Sequence, residues 1–444
     1  MESIKIQKYP AYKDSGVEWL GGIPNHWDVK KLKFLGNIFP GLSGKKGDDF
    51  SKEYSCGFKP FIPFTNICNN LKISNEHFQY VRVSEAEVQN KIKKYDILFL
   101  MSSETFEDIA KCSIYLGDDE ELYLNSFCKG FRISKTFMNP EFVNYLLFCS
   151  TYRNYFSNAG RGFTRINLKQ EFINDVYTLI PTLEEQTDIA EFLDRKTVLI
   201  HRAIGIKEKQ IELLKERKQI LIYRAVTRGL NPNIKLKDFG IEWIGEIPEH
   251  WDAVSNRVLY QERNEPGNES LAILSVSIHT AVSSEELSEE DNLHGKNRIA
   301  DKSSYKLVKP NDIVFNMMRA WQGAIGAVRV NGMVSPAYVV SEPIGTINSD
   351  FFEYQYRTSS FIQQMDRNSK GITDFRKRLY WNEFKQLKTI LPPIQEQKEI
   401  VSYIENITLK IATAVSLKEK EIEKLKEYKA SLINGAVTGK IKVN

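Results

Sequence analysis

Residues 14–28 read DSGVEWLGGIPNHWD, and residues 238–252 read DFGIEWIGEIPEHWD. At this offset of 224 residues the pairs Gly16/Gly240, Trp19/Trp243, Pro24/Pro248, His26/His250 and Trp27/Trp251 stay in register. A second echo joins IPTLEEQTDI at 180–189 to LPPIQEQKEI at 391–400, and a third joins IKEKQIELLKE at 206–216 to LKEKEIEKLKE at 417–427, both at an offset of 211. The fall from 224 to 211 means that the second middle region is 13 residues shorter. Recurring borders around unlike, length-variable middles identify one scaffold used twice with different contents.

Inside the borders the echoes are weaker: YDILFLMSSE at 95–104 beside NDIVFNMMRA at 311–320, and GFTR at 162–165 beside GITD at 371–374. Short apolar runs such as 97–101, 313–317 and 334–340, broken by Gly, Asn, Asp and Ser, predict strands. The expectation is two mixed α/β domains rich in strands, alike in fold and different where they touch a partner.

After each middle the apolar period changes. Ile189, Leu193, Ile200, Ala203, Ile211, Leu214, Leu221 and Ala225 step by threes and fours, with Lys196, Lys207 and Lys218 in the same register. In the second copy Ile400, Ile404, Ile407, Ile411, Ala414, Ile422, Leu425, Leu432 and Ala436 take the equivalent places. A heptad-like seam of roughly 40 residues makes a helix of about 60 Å at 1.5 Å per residue. Such a stripe is unstable in water, and two matched helices bury theirs most economically against each other as an antiparallel, pseudo-two-fold pair. The plainer alternative is a surface helix buried once against its own domain. Pro181, Pro392 and Pro393 suit the starts, and Gly229 and Gly439 the stops.

Composition excludes more than it selects. With 444 residues, 42% of them hydrophobic, the chain has material for two or three cores. No run approaches 18 uncharged apolar residues and the first residues lack a signal-peptide core, so the expected location is cytoplasmic, with no membrane partner. Five cysteines, Cys56, Cys68, Cys112, Cys128 and Cys149, form no CxxC pair and read as reduced thiols. A net charge of +4 permits nucleic-acid binding without arguing for it. A base methyltransferase needs a Gly-rich cofactor loop and an [ND]PP[YF]-like tetrapeptide, and neither is present. GLSGKK at 41–46 is too short for a phosphate-binding GxxxxGK[ST] loop. The six histidines do not cluster, and His26 and His250, each beside a tryptophan, read as structural rather than metal-binding. The chain is therefore expected to be no enzyme and to hold neither cofactor nor metal.

The two GxEWxGxIPxHWD borders, the IPTLEEQ and LPPIQEQ runs ahead of long helices, and NDIVFNMMRAWQGAIG followed by VSPAY closely resemble the specificity (S) subunits of type I restriction-modification systems. The resemblance covers nearly the whole chain in the family's order. It implies an N-terminal segment at 1–19, target recognition domains at 20–181 and 231–391, and long spacer helices at 182–230 and 392–444. Each domain is expected to read half of a bipartite site in double-stranded DNA, while the helices set the spacing and dock two methyltransferase (modification) subunits. Restriction (translocase/nuclease) subunits complete the implied partners, and S-adenosylmethionine, ATP and Mg belong to those partners.

Base identity is legible in the major groove to bidentate polar side chains, whereas phosphate contacts only position the protein. Polar residues on loops beside the shared strands are therefore the candidates. In the first domain these are Ser102, Ser103, Glu104, Arg161, Arg165 and Lys169; in the second, Arg319, Trp321, Gln322, Lys370, Arg376, Lys377 and Arg378. The triplet Arg376, Lys377, Arg378 is the expected phosphate cluster, and Trp321 suits a core as well as a DNA face. MSSETFED stands in the first half where the second has MMRAWQG, so contacts do not transfer between domains. The rival reading is a coiled-coil adaptor whose two heads bind proteins instead of DNA.

Overall fold

The computed structural model describes residues 7–240, 244–268, 270–284, 304–371 and 376–443; Trp243 and residues 372–374 of the GITD echo lie outside them. By compactness the chain forms two units, residues 1–207 with 419–444 and residues 208–418. The division cuts both long helices, so each unit owns a recognition domain plus part of each helix.

The repeated border is a hairpin. Tyr12–Asp14 pairs antiparallel with Gly22–Pro24, and Leu236–Asp238 pairs with Glu246–Pro248. The glycines recur because the turn needs left-handed backbone: Gly16 and Gly21 have φ of 73° and 67°, and Gly240 and Gly245 have 72° and 62°. Trp27 and Trp251 follow as fully buried side chains in the main core of each unit.

Both middles are built on the same four-stranded antiparallel sheet. In the first unit its order is Cys112–Ile114, Ile97–Leu100, Cys128–Ile133, Gly36–Pro40. In the second it is Ile325–Ala327, Ile313–Asn316, Tyr338–Pro343, Tyr260–Glu262. A further pair closes each unit, Asp28–Lys31 with Tyr177–Ile180 and Asp252–Ser255 with Lys388–Leu391. The contents differ beyond this frame. The first unit adds a second sheet from Phe50–Ser51, Phe58–Ile62, Gln79–Arg82 and Tyr123–Leu124, where the second has two ladders, Leu274–Ser277 with Ala281–Ser284 and Lys306–Val308 with Gly332–Val334.

The YDIL and NDIV echo marks how the central strand is launched. Tyr95 and Asn311 take φ of 70° and 76°, and the next residue's carboxylate accepts the N–H of Lys93 (2.7 Å) or Lys309 (2.8 Å). Each buried aspartate then holds an arginine. Asp96 takes Arg132 Nε and Nη2 at 2.8 and 2.6 Å, and Asp312 takes Arg263 Nε at 3.0 Å. The arginines come from different strands, one on Cys128–Ile133 beside the central strand and the other just after the edge strand Tyr260–Glu262, one strand further away. The position of the carboxylate is shared and its partner is not.

The long helices run Leu183–Arg228 and Ile394–Val437, 46 and 44 residues. Their starts explain the EEQ and QEQ runs. Gln186, buried, donates to the carbonyls of Pro181 and Phe137 (both 3.0 Å) and accepts the N–H of Asn139 (2.8 Å). Gln397 donates to Pro392 O (2.8 Å) and accepts from Asn348 N–H (2.9 Å). The preceding glutamates reach back to the hairpin border: Glu185 meets His26 Nε2 at 2.9 Å, and Glu396 meets His250 Nε2 at 2.6 Å and Trp251 Nε1 at 3.0 Å. His26 and His250 are thus clamps between border and helix.

Within the first unit the two helices are antiparallel. His201 lies 2.6 Å from Lys429 and Lys207 lies 2.6 Å from Glu421, so the sequence rises on one as it falls on the other. Ile189, Leu193 and Ile200 of the predicted seam are buried in one core with Leu432, Ile433 and Ala436. Within the second unit Ala225 and Val226 share a core with Ile400, Val401 and Ile404. The stretch of the second helix between Glu399 and Lys418 is its most apolar, and Glu405 and Lys410 interrupt it.

Candidate nucleic-acid interface

In both units the candidate loops hang on one backbone hydrogen bond that fixes where they emerge. Leu168 N–H donates to Met101 O at 3.0 Å in the first unit, and Leu379 N–H donates to Met317 O at 2.9 Å in the second. Beside it a loop closes on itself: Arg161 and Asn167 exchange N–H···O bonds of 3.2 and 2.9 Å, and Lys370 and Arg378 exchange bonds of 2.8 Å each. Gly162 (φ 141°) and Gly371 (φ 145°) make both closures possible, since a Cβ on either would strike the carbonyl of Arg165 or Arg376 at 2.0 or 2.6 Å. Gly162 and Gly371 therefore mark a shared loop entry, with two more residues between the paired ends in the second unit (161 to 167 against 370 to 378).

The first unit brings its predicted residues to one edge. Ser102–Ser103 pairs antiparallel with Ile166–Asn167, which places Glu104 and the exposed Arg161, Arg165 and Lys169 around the same strand end. Their roles separate on inspection. Ser103 Oγ accepts the N–H of Thr105 and shapes the loop. Arg161 Nη1 donates to the carbonyls of Asn158 and Gly160, both at 2.7 Å, bracing the loop base. Arg165 lays its guanidinium over the exposed ring of Phe127, 4.2 Å from its centroid.

In the second unit Arg319 and Gln322 are exposed on the short helix Ala320–Gln322 and its approach. Trp321 is half-buried, with Nε1 donating to Met318 O at 2.9 Å and the Lys377 ammonium 5.1 Å from its ring centroid. Lys377 also pairs with Asp366 at 2.6 Å, Lys370 pairs with Glu383 at 2.5 Å, and Arg378 Nη1 donates to Lys377 O at 2.9 Å. The expected phosphate triplet is thus a cluster whose members already make contacts within the protein, Arg376 being the exposed one.

Sequence reasoning missed the residues that hold these loops. Arg357 donates to five carbonyls: Gly323, Ile325 and Ser277 through Nη1 at 3.0, 3.3 and 3.3 Å, and Ile278 and His279 through Nη2 at 2.8 and 3.2 Å. Burial lowers its basicity, yet a guanidinium keeps its charge in proteins. Arg153 does similar work in the first unit, with Nη2 donating to Glu107 O (2.8 Å) and Ile109 O (2.5 Å). No spacing marks either arginine. Phe163, between Gly162 and Arg165, is legible in sequence as an apolar residue in a basic loop. Among the described residues no group of three His, Cys, Asp or Glu is placed to hold a metal ion.

Two like scaffolds presenting unlike polar loops are what a two-part reader requires, and the comparisons agree. The sequence profile of the type I restriction modification DNA specificity domain matches residues 24–216 and 279–427. The chain belongs to this family.

As a specificity subunit it is non-catalytic and serves DNA recognition in a type I restriction-modification system, which leaves the adaptor reading without support. Among its relatives, a Methanocaldococcus jannaschii protein named for the MjaX specificity subunit is 28% identical, with 96% of each chain covered. The type I restriction enzyme EcoKI specificity subunit of Escherichia coli is 22% identical over 87% of this chain and 83% of its own. The HsdS subunit from Thermoanaerobacter tengcongensis shares the fold at a TM-score of 0.55 and 12% identity, covering 94% of this chain and 98% of the other. A chain from a structure of a type I R-M system does so at 0.63 and 12%, with the same coverage.

Proposed function

We propose that each unit of this specificity subunit reads one half of a bipartite DNA site in the major groove, and that the long helices fix the spacing and dock two methyltransferase subunits. The observation that carries the reading is the pair of matching hydrogen bonds, Leu168 to Met101 and Leu379 to Met317, from which chemically different loops emerge in the two units. A fixed frame with interchangeable polar loops suits base readout, where the pattern of donors and acceptors changes while the approach to the groove does not.

A docking role for the helices is supported by what they leave uncovered. Leu199, Ile206, Leu213 and Ile220 repeat every seven residues along the first helix and stay 54%, 53%, 52% and 50% exposed. A heptad stripe outside the buried seam is the surface that partner helices take up. Modification then falls to partner chains that carry S-adenosylmethionine, and cleavage to restriction subunits using ATP and Mg. The complex works in the cytoplasm on host and incoming DNA.

Methylome sequencing of cells expressing the chain with its modification subunits tests this reading. The expected result is methylation at two short sequences separated by an unread spacer of constant length. Inserting one heptad into 187–227 adds about 10 Å of helix, or about three base pairs, and shifts the preferred spacer. Methylation without a split motif overturns the two-reader proposal, and an unchanged spacer overturns the ruler.

A further inference from the structure

Phe163 is fully exposed, with its whole side chain presented to solvent at the tip of the 161–167 loop. Exposed apolar residues are ordinary when they ride on a loose surface segment. This one rides on a braced loop. The paired bonds between Arg161 and Asn167 close the base, Asn167 Nδ2 donates to Arg165 O at 3.3 Å, and Arg161 Nη1 ties the entry to Asn158 and Gly160. Gly162 is held in a conformation that side chains rarely adopt, with its Cα against the Arg165 carbonyl.

The surroundings specify the chemistry of an occupant. Residues 160–169, GRGFTRINLK, contain three cations and no acid. Arg161, Arg165 and Lys169 are exposed on the same loop and its exit, exposed Glu104 follows the strand paired with it, and Arg165 stacks on the second exposed aromatic, Phe127. A projecting ring on a predominantly cationic loop complements a partner with an anionic exterior and a stacked aromatic interior, which is the description of duplex DNA. Apolar side chains on basic elements enter such stacks as wedges, unstacking one base step and bending the helix. Holding the ring ready in advance lowers the ordering cost of doing so.

We propose that Phe163 is a wedge that enters the base stack at the half-site bound by the first unit, opening one base step as the exposed Arg165 and Lys169 engage the backbone. The inference rests on the DNA-reading function proposed above and adds to it a deformation-based source of specificity, because the cost of opening a step depends on its sequence.

The test uses the whole chain assembled with its methyltransferase subunits and duplexes carrying the site found by methylation mapping. 2-Aminopurine is placed at successive positions across both half-sites and flanks, omitting the adenines that become methylated. The wild-type complex is expected to raise the fluorescence several-fold at one step of one half-site. Phe163→Ala is expected to abolish that rise and to weaken binding by about 10- to 100-fold, while Phe163→Met retains most of both. Because the side chain is outside every core, neither variant threatens folding. If the wild-type complex binds the site specifically and Phe163→Ala changes neither fluorescence nor affinity, the wedge is wrong and DNA reading stands. Loss of methyltransferase subunits from Phe163→Ala on gel filtration overturns the wedge in favour of a protein contact. Failure of the wild-type complex to discriminate the mapped site from unrelated duplex overturns both.

Discussion

Gly439 lies so close to Pro24 that a β-carbon on it would sit 2.4 Å from the proline Cδ. Its φ of +72° ends the C-terminal helix with a left-handed residue, and Trp27 Cη2 stands 3.2 Å from the same point. Gly229 ends the first helix at the same φ, where a β-carbon would meet only the Trp251 ring, Cζ2 at 3.2 Å and Cη2 at 3.7 Å. Gly439→Ala therefore adds a steric clash to the left-handed penalty of about 1 kcal/mol, whereas Gly229→Ala bears mainly that penalty. Denaturant melts of the purified variants are expected to show the larger loss, about 2–3 kcal/mol, at Gly439. Equal losses would mean the hairpin border moves aside.

Arg263 and Asp312 are 4% and 1% exposed, and Glu265 and Glu342 also reach the guanidinium, at 2.5 and 2.6 Å. Burial pushes the Asp312 carboxyl above its ordinary range even with Arg263 beside it. Arg263→Met leaves that carboxylate buried without its cation, at an expected cost of about 3–5 kcal/mol near pH 7. The sign with pH follows from linkage: a carboxyl whose folded pKa is raised binds more protons in the folded state, so stability falls as pH rises through it. The deficit of Arg263→Met should therefore shrink as the pH is lowered toward the unfolded value of about 4. A pH series of unfolding midpoints decides it, since a purely steric defect stays constant.

The repeat announced the architecture because each of its letters is needed by backbone or core. The border glycines supply left-handed turns, Trp27 and Trp251 fill cores, and Gln186 and Gln397 satisfy the loops ahead of the long helices. Loop residues were only partly legible. Arg161 and Lys377 read as DNA-contact candidates in sequence, and the fold adds contacts that sequence did not show, Arg161 bracing its own loop and Lys377 pairing with Asp366 beside Trp321. Arg357 was invisible for the opposite reason: its five acceptors are backbone carbonyls, which any sequence offers and only the fold gathers. Half of each helix belonging to each unit was likewise hidden, since an unbroken heptad seam carries no mark of where its partner changes.

The five cysteines should separate by burial. Cys56 is exposed, Cys68 half-buried, and Cys112, Cys128 and Cys149 buried. Desolvation pushes the Cys112 thiol up to about 12 and Cys149 up to about 11, and raises Cys128 and Cys68 as well. The thiolate is the reactive form, so a disulfide reagent at pH 8 is expected to label Cys56 rapidly and the three buried thiols only after unfolding. Cys56→Ser removes the fast phase. Rapid labelling of a buried thiol would mean that its core opens in the native state.

Arg357 connects the turn at 277–279 to the strand end at 323–325, so it braces from outside a loop bearing Trp321 and Gln322 that also closes on its own bonds from Gln322 N–H to Arg319 O and from Trp321 Nε1 to Met318 O. Hydrogen bonds from a charged donor contribute about 1.5–3 kcal/mol each, and several are lost together in Arg357→Ala. Lysine offers one ammonium where five acceptors sit around a planar fork, so Arg357→Lys should rescue little. With the frame bond from Leu379 to Met317 intact, the second unit remains folded while its loop loses a fixed position. The expected outcome in the assembled methyltransferase is a roughly 10- to 100-fold loss of discrimination at one half-site, with the other unaffected. Arg153→Ala, which frees the Glu107 and Ile109 carbonyls, should relax the opposite half-site. Methylation rates on duplexes with single mismatches in each half measure both. Relaxation of the same half by the two variants would contradict the assignment of one reader to each unit.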